Sequence, residues 1–309
     1  YGAHIREFKP NARLYLLNVI MTGAVMGVFR LLFNFFVLSL GYDEALLGNL
    51  ITTSSFVALL AALPMGYLAD MIGRKNSLLI SGALLSASIL VMAIWPTASM
   101  FYAMNVISGV AQSLAGVTMS PFLMENSDEK ERTYLFSFGQ GLQMTMASVG
   151  NWIGGYLPTW MGNAQGASAT SSTAYGSSVF IIGIGAALAI LPLVFLKSPH
   201  IEHSQRAIFA PFQYAARNPL LLTKLILPML LTSLGAGLIM PFMNVFFRQV
   251  HHQPDPVIGT LFAWGSLAMG IGLLAAPPLA ERTGKIQLVV ITQGLSIPFL
   301  ILLGFSPIF

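Results

Sequence analysis

The chain alternates between long apolar runs and short polar segments. Nine runs of about 18 to 28 residues are almost free of charge, and each is near the roughly 20 residues that an α-helix needs to cross a bilayer. Strands of a membrane barrel would be about ten residues long, with apolar and polar positions alternating. The runs are continuous instead, so the pattern predicts an all-α polytopic membrane protein. The predicted spans cover about 14–39, 45–69, 77–95, 100–124, 133–157, 179–196, 220–247, 257–280 and 286–305.

Two polar segments are longer than the other connections. Gly162 to Ser178 is rich in Gly, Ser, Ala and Thr and carries no charge, which predicts a flexible loop. Lys197 to Asn218 is the longest polar segment and predicts the linker between two halves. The domain prediction is a six-helix N-terminal half over 1–196, a cytoplasmic linker over 197–218, and the first three helices of a C-terminal half over 219–309.

The composition supports a membrane environment. Of the 309 residues, 55% are hydrophobic and 8% are charged, and the mean hydropathy is +0.74. Soluble domains carry about 25% charged residues, so this chain must present apolar side chains to lipid. The lack of cysteine excludes disulfides, thiolate metal sites and a cysteine nucleophile. The sequence also lacks the phosphate-binding loop, zincin and Gly-x-Ser-x-Gly motifs. We therefore expect no enzyme, no ATP-driven transport, no cofactor and no metal.

Lysine and arginine are distributed unevenly among the polar segments. They concentrate in the N-terminal segment, after the second, fourth and eighth spans, and in the linker, whereas the connections of the opposite side hold Arg248. Because cytoplasmic segments of membrane proteins collect these residues, the pattern predicts a multi-pass protein of the plasma (inner) membrane with a cytoplasmic N-terminus. The net charge of +4 reflects these loops and does not indicate a nucleic-acid partner.

The chain contains an internal repeat. The segment Gly66–Lys75, here called the first hinge, joins spans two and three. A weaker copy, the second hinge Leu279–Lys285, joins spans eight and nine about 211 residues later. Spans one and seven align at an offset of about 210, which places Asn34 over Asn244. Spans one to three therefore repeat as spans seven to nine, with six spans in each half. Twelve spans are expected in the whole protein, so we expect this chain to be truncated at its C-terminus.

These residues resemble the major facilitator superfamily of transporters, in its bacterial form. Gly66, Asp70, Gly73 and Arg74 match the signature cytoplasmic loop between its second and third helices, and the second hinge lies where the family repeats that loop. The resemblance covers the whole chain in its topology. It implies the fold of that superfamily, with two six-helix halves around a central site, and solute transport by alternating access.

The resemblance also implies a gating role for the hinges. In the family, a charged cluster at this place holds one conformation closed and opens as the halves move. A carboxylate and a guanidinium at a membrane edge can form charge-assisted hydrogen bonds. The alternative is an anchor of membrane topology, with surface ion pairs worth less than about 1 kcal/mol each. The predicted gating residues are Gly66, Asp70, Gly73, Arg74, Glu125, Glu281, Gly284 and Lys285.

Arg30 is the one charge well inside a predicted span. An arginine at a helix centre costs about 2.5–3.5 kcal/mol on insertion scales, so it should face a cavity or a partner. The functional interpretation is substrate binding, and the alternative is a structurally paired or snorkelling arginine. Polar residues of other spans could line the same cavity or serve as interhelical hydrogen bonds, and a tryptophan could equally pack against lipid. The predicted substrate-binding residues are Arg30, Asn34, Asn105, Gln112, Gln140, Gln143, Asn244 and Trp264.

Two histidines and an aspartate lie close together after the seventh span. His251, His252 and Asp255 could suggest a metal site, but a third ligand at suitable spacing is missing and prolines flank the aspartate. We expect a solvated loop here.

The function predicted from these features is secondary active transport of a small organic solute. No Asp or Glu lies deep inside a predicted span, so the sequence offers no obvious proton carrier, and protons are only a candidate coupling ion. Polar residues with a single arginine favour a neutral or anionic solute. We expect the protein to act as a monomer in the lipid bilayer.

Two other functions stay open at this level. One is proton-coupled export of drugs or other amphipathic compounds. Two differences count against it: Asn105 replaces the family's fourth-helix arginine, and the fifth-helix antiporter motif lacks its proline in Gly150–Gly155. The other is a membrane sensor that transports nothing, which substrate-dependent flux would exclude.

Overall fold

The computed structural model describes residues 9–197 and 217–305. All regular elements within these ranges are helices, which confirms the all-α prediction. They are α1 (Pro10–Ser39), α2 (Glu44–Ile72), α3 (Arg74–Ile94), α4 (Ala98–Glu125), α5 (Glu129–Gln165), α6 (Ser172–Leu188), α7 (Leu191–Val194), α8 (Pro219–Ile239), a 3-10 turn (Met240–Phe242), α9 (Met243–Gln249), α10 (Asp255–Thr283) and α11 (Lys285–Phe305).

All nine predicted spans fall on helices. In the described ranges, seven helical segments are long and apolar enough to cross a membrane: Pro10–Ser39, Glu44–Ile72, Arg74–Ile94, Ala98–Glu125, Ser172–Val194, Pro219–Gln249 and Asp255–Thr283. The predicted fifth and ninth spans correspond to α5, which is richer in polar and small residues, and α11, whose apolar stretch Ile286–Leu302 is shorter. Most of the predicted linker, residues 198–216, lies outside the described part of the chain.

The predicted flexible loop Gly162–Ser178 is wrong at both of its ends. Helix α5 continues to Gln165, and α6 begins at Ser172. The real connection is short because Gly166 ends α5 in the left-handed conformation (φ 65°), while the Ser171 side chain accepts a hydrogen bond from the first turn of α6. The small residues allow a tight connection instead, since a Cβ atom on Gly162 would lie 2.8 Å from the Ala167 carbonyl oxygen.

The two hinges share an unusual backbone conformation. Gly73 follows α2 with φ 84° and ψ 159°, and Gly284 follows α10 with φ 91° and ψ 143°. These angles are essentially restricted to glycine, because a side chain would collide with the backbone. Each hinge thus reverses the chain with a single residue between two helices. We call the end of the bundle with the hinges the hinge end, and the opposite end the far end.

Helix α5 connects the two predicted halves. It packs in parallel against α1 and antiparallel against α10, and glycines bring the backbones close on both sides. A Cβ atom on Gly23 of α1 would lie 2.7 Å from the carbonyl oxygen of Gln143. A Cβ atom on Gly259 of α10 would lie 2.7 Å from Cα of Gly155. Small residues at such contacts allow membrane helices to approach closely.

Two apolar clusters form the core, and they differ in which halves they join. The cluster towards the far end combines residues of α1 to α6 with Val245, Phe247 and Ile258 from α9 and α10. The cluster towards the hinge end is built from α1, α3, α4, α5 and the α7 region. Among the described residues, the apolar core therefore crosses between the halves at the far end. Helices α8 and α11 expose most of their described side chains.

Candidate functional site

The first hinge forms a three-residue charge cluster at the hinge end. Arg74, the first residue of α3, contacts Asp70 Oδ1 at the end of α2 through Nη1 at 2.7 Å. Its Nε donates to Oε1 of Glu125, the last residue of α4, at 3.1 Å. One guanidinium thus joins the ends of three helices. The structure brings these predicted gating residues together, and their role in gating stays a prediction.

The other predicted gating residues are arranged differently. Gly66 faces open space, since a Cβ there would meet no atom within 4 Å. At the second hinge, Glu281 accepts a hydrogen bond from the Tyr134 hydroxyl of α5 at 3.3 Å, so this acid contacts the other half. Gly284 has the backbone described above, and the side chain of Lys285 lies outside the described part of the structure.

Asn34 and Asn244, the pair aligned by the repeat, bind each other across the two halves. Asn34 Nδ2 donates to Asn244 Oδ1 at 2.9 Å and to the Pro241 carbonyl at 2.8 Å. Asn244 Nδ2 donates to the Leu31 carbonyl at 2.9 Å. Each amide thus bonds the carbonyl three residues before its partner, which makes the arrangement nearly twofold symmetric. We call this set of hydrogen bonds the asparagine clasp; both asparagines are buried within it.

Several other predicted substrate-binding residues are accessible. Arg30 and Gln112 are exposed, and Gln143 is half-buried. Trp264 is also exposed and lines a surface cleft of about 320 Å³ with Tyr156, between the outer sides of α5 and α10. The structure does not bring these residues together into one enclosed pocket.

Two predicted substrate-binding residues make contacts inside the N-terminal half. Asn105 is buried in α4 and donates to the Phe101 carbonyl at 2.8 Å. Gln140 Nε2 in α5 lies 3.7 Å from the Met119 sulfur of α4. The Asn105 bond to Phe101 lies within α4, and its Nδ2 also lies 3.8 Å from the Met92 sulfur of α3. The contacts with Met92 and Met119 fit the interhelical interpretation that was open from the sequence.

A second charged group lies at the far end, where the sequence predicted a solvated loop. Asp255 is 8% exposed, so that prediction is wrong for this residue. Its Oδ1 lies 3.4 Å from Arg248 Nη1, and its Oδ2 accepts a hydrogen bond from the Tyr175 hydroxyl at 2.5 Å. Arg248 Nη1 in turn donates to the same hydroxyl at 2.8 Å. No group of acidic and histidine residues in the described chain has the arrangement of a metal site.

The sequence carried one signal for this group. Lysine and arginine concentrate in the predicted cytoplasmic segments, whereas Arg248 follows a span on the opposite side. Such an exception suggests that this arginine has a specific partner. Its partners could not be identified, because Tyr175 lies 80 residues from Asp255 along the chain, within the segment assigned to a loop.

A polytopic helical bundle with two hinged halves that share an apolar core at one end has the form of a membrane transporter. The chain belongs to the Major Facilitator Superfamily, since the model of that family matches residues 15–309. This confirms the family to which the hinge motif pointed.

The comparisons with known proteins agree with this family. The uncharacterized MFS-type transporter YqjV of Bacillus subtilis (strain 168) is 29% identical over 165 residues, which are 52% of this chain and 37% of that protein. The match thus spans little more than a third of the curated relative. A mutant of the nucleoside transporter NupG superposes with a TM-score of 0.59 at 15% identity, covering 89% of this chain and 69% of that one.

A second solved structure has the same fold. The xylose transporter XylE of E. coli, in an inward-open conformation, has a TM-score of 0.54 at 19% identity, covering 88% of this chain and 69% of that one. At these identities the structural likeness shows the fold alone. The family and the fold together support a multi-pass membrane protein.

Proposed function

We propose that the protein is a secondary transporter that moves a small organic solute across the plasma membrane by alternating access. The observation that carries this proposal is the asparagine clasp, which joins the two halves at the far end through repeat-related residues. Alternating access requires two halves that separate at one end while they stay joined at the other. A symmetric clasp between the halves suits that movement.

The distribution of the core supports the same movement. The apolar core crosses between the halves at the far end, and the hinge-end cluster belongs to one half. The positive-inside pattern supports a cytoplasmic hinge end. On this proposal, the structure is closed towards the outside and its next step is opening of the far end.

The accessible polar residues support a neutral or anionic solute. Arg30, Gln112 and Gln143 offer one cation and two amides, without an acidic group among them. Nucleosides and xylose are the solutes named for NupG and XylE, and both are small and rich in hydroxyl groups. They should therefore be screened first, and protons are the candidate coupling ion because a D-xylose–proton symporter shares the fold.

A ligand screen followed by flux measurement tests the proposal. Purified protein would be screened for thermal stabilisation by nucleosides, sugars, organic anions and drugs. A ligand that binds the folded state raises the melting temperature by mass action. The protein would then be reconstituted in proteoliposomes, and uptake of each stabilising ligand would be measured with and without a proton gradient. Binding without flux would favour a sensor instead.

Locking the asparagine clasp should stop transport of any solute found in this way. The 309 residues contain no cysteine, so the double variant Asn34→Cys/Asn244→Cys introduces two thiols into them at the clasp. We expect a short bifunctional methanethiosulfonate reagent to join them, block uptake, and release the block on reduction. Each single-cysteine variant, treated in the same way, is the matched control. Full uptake by the cross-linked protein would contradict alternating access at this end.

A further inference from the structure

We infer that Tyr175, Arg248, Asp255 and the ring of Phe35 form the gate that closes the far end of the transport path. This inference rests on the proposed function, because a gate has meaning only for a path. We call these four residues the far-end gate. They lie near the far ends of α6, α9, α10 and α1, and so come from both halves.

Asp255 is the part of the gate that most needs an explanation. Of the charged residues that the structure describes, Asp255 is the one that is buried, and its side chain is 9% exposed. A buried carboxylate is unfavourable unless it is paired and hydrogen-bonded. Both conditions hold only while Tyr175 and Arg248 are in place. The burial therefore depends on contact between the halves.

The Tyr175 hydroxyl fits between the two charges in a way that few groups could. It donates its proton to Asp255 Oδ2 and accepts a hydrogen bond from Arg248 Nη1. A phenol can do both at once, and bonds to charged groups are the stronger kind. Because Tyr175 belongs to the N-terminal half and both charges to the C-terminal half, each of these bonds crosses between the halves.

Phe35 completes the contact from the N-terminal half. The guanidinium carbon of Arg248 lies 4.4 Å from the centre of the Phe35 ring, within the range of a cation–π interaction. Phe35 itself is buried in the apolar core of the far end. The Phe35 ring and the Tyr175 hydroxyl, both from the N-terminal half, thus contact one guanidinium.

The charges are placed so that the gate can open reversibly. Arg248 and Asp255 both belong to the C-terminal half and lie 3.4 Å apart. When Tyr175 and Phe35 withdraw, the two charges keep each other as partners and gain access to water. No charge is left unpaired in an apolar place, so opening avoids the large penalty for an isolated buried ion.

Cysteine accessibility tests the gate without any knowledge of the solute. Gly48 is half-buried at the contact between the halves, where a Cβ would be 3.7 Å from the Phe242 ring, so Gly48→Cys fits and its access to reagent should rise when the far end opens. We would measure how fast a membrane-impermeant maleimide labels this thiol from outside intact cells. Tyr175→Phe removes the hydroxyl and both of its hydrogen bonds to charged groups. Losing even one such bond changes an equilibrium about tenfold, so we expect labelling at least roughly tenfold faster.

Two further variants separate a gate from a general loss of structure. Tyr42→Phe removes another hydroxyl at the far end. That hydroxyl accepts a hydrogen bond from the Ala98 amide of the same half, so its loss should leave the labelling rate unchanged. Asp255→Asn should also speed labelling, and combining it with Tyr175→Phe should add little, because both remove the same contact. Equal labelling of Gly48→Cys with and without Tyr175→Phe, in protein of normal membrane abundance, would overturn the inference, and so would fully additive effects.

The labelling result and the flux result distinguish the two proposals. Faster labelling without solute flux would reject transport, and Tyr175, Arg248 and Asp255 would then be only a contact that holds the two halves together. Solute flux, together with a Gly48→Cys labelling rate that Tyr175→Phe does not change, would support transport and reject the far-end gate.

Discussion

Two arginines at opposite ends of the bundle show how differently the same side chain can be used. Arg74 binds Asp70 and Glu125, whose side chains are 35% and 42% exposed. Exposed ion pairs of this kind contribute about 0.2–1 kcal/mol each, so they can form and break during a transport cycle. Arg248 instead binds a buried carboxylate, together with a hydroxyl and an aromatic ring from the other half.

The charge cluster of Asp70, Arg74 and Glu125 makes a prediction at the residue scale. Asp70→Asn removes one charge that Arg74 binds, and we expect it to abolish uptake while membrane abundance stays normal, because the stability lost with an exposed pair is small. Asp128→Asn is the matched control. It breaks the exposed pair with Lys9 at the same end, 3.1 Å long, and should leave uptake intact. Normal uptake by Asp70→Asn would reject the gating role.

Helix α5 is the element on which the arrangement of the others depends. Its glycine face towards α10 lets the two backbones approach, and Asn151 adds a hydrogen bond to Ser266 of α10 at 2.9 Å. It also reaches the hinge end, where Tyr134 contacts Glu281. The pair α5–α10 therefore joins the halves over the whole depth of the bundle, and it can serve as the axis about which they move.

This packing makes a prediction at the element scale. In Gly259→Ala the new Cβ would lie 2.6 Å from the Asn151 carbonyl oxygen, a backbone atom that can yield only if α5 and α10 separate. We expect a lower melting temperature in detergent, since overpacking typically costs about 1–3 kcal/mol.

A second glycine of the same helix supplies the control. Gly265 has no atom within 4 Å of its would-be Cβ. Gly265→Ala should therefore raise the melting temperature slightly, because alanine favours a helix over glycine by about 1 kcal/mol. Equal shifts for the two variants would mean that the close contact between α5 and α10 contributes nothing.

The whole molecule is organised by its two ends. Charged hinges and a core confined to one half mark the hinge end, whereas the asparagine clasp, the far-end gate and a shared core mark the far end. A glycine with positive φ at each hinge and the near-symmetry of the clasp both reflect the internal repeat. The apolar core that the two halves share thus lies at the end that carries few bases.

The orientation of the molecule makes a prediction at this scale. Arg282 at the hinge end and Ala45 at the far end are both exposed. If the hinge end is cytoplasmic, an impermeant maleimide should label Ala45→Cys in intact cells and leave Arg282→Cys unlabelled. Both should react in permeabilised cells, which controls for access. Labelling of Arg282→Cys from outside would reverse the proposed orientation.

The sequence by itself determined what depends on neighbours along the chain. Continuous apolar runs predicted the helices, because crossing a bilayer requires about 20 apolar residues in a row. The first hinge was recognisable as a short charged segment between two apolar runs, with Gly66, Asp70, Gly73 and Arg74 matching the family's motif. The repeat also aligned Asn34 with Asn244 correctly, although it did not show that they bind each other.

Only the tertiary structure decided which distant residues meet. Tyr175 and Asp255 are 80 residues apart, and Asn34 and Asn244 are 210 apart, so no local pattern of polarity could predict either contact. The sequence predicted that Asp255 lies in a solvated loop, because prolines and histidines surround it, yet the packing of α6, α9 and α10 buries it. Burial and hydrogen-bond partners belong to the packing of helices, and that packing depends on side-chain shapes across the whole bundle rather than on order along the chain.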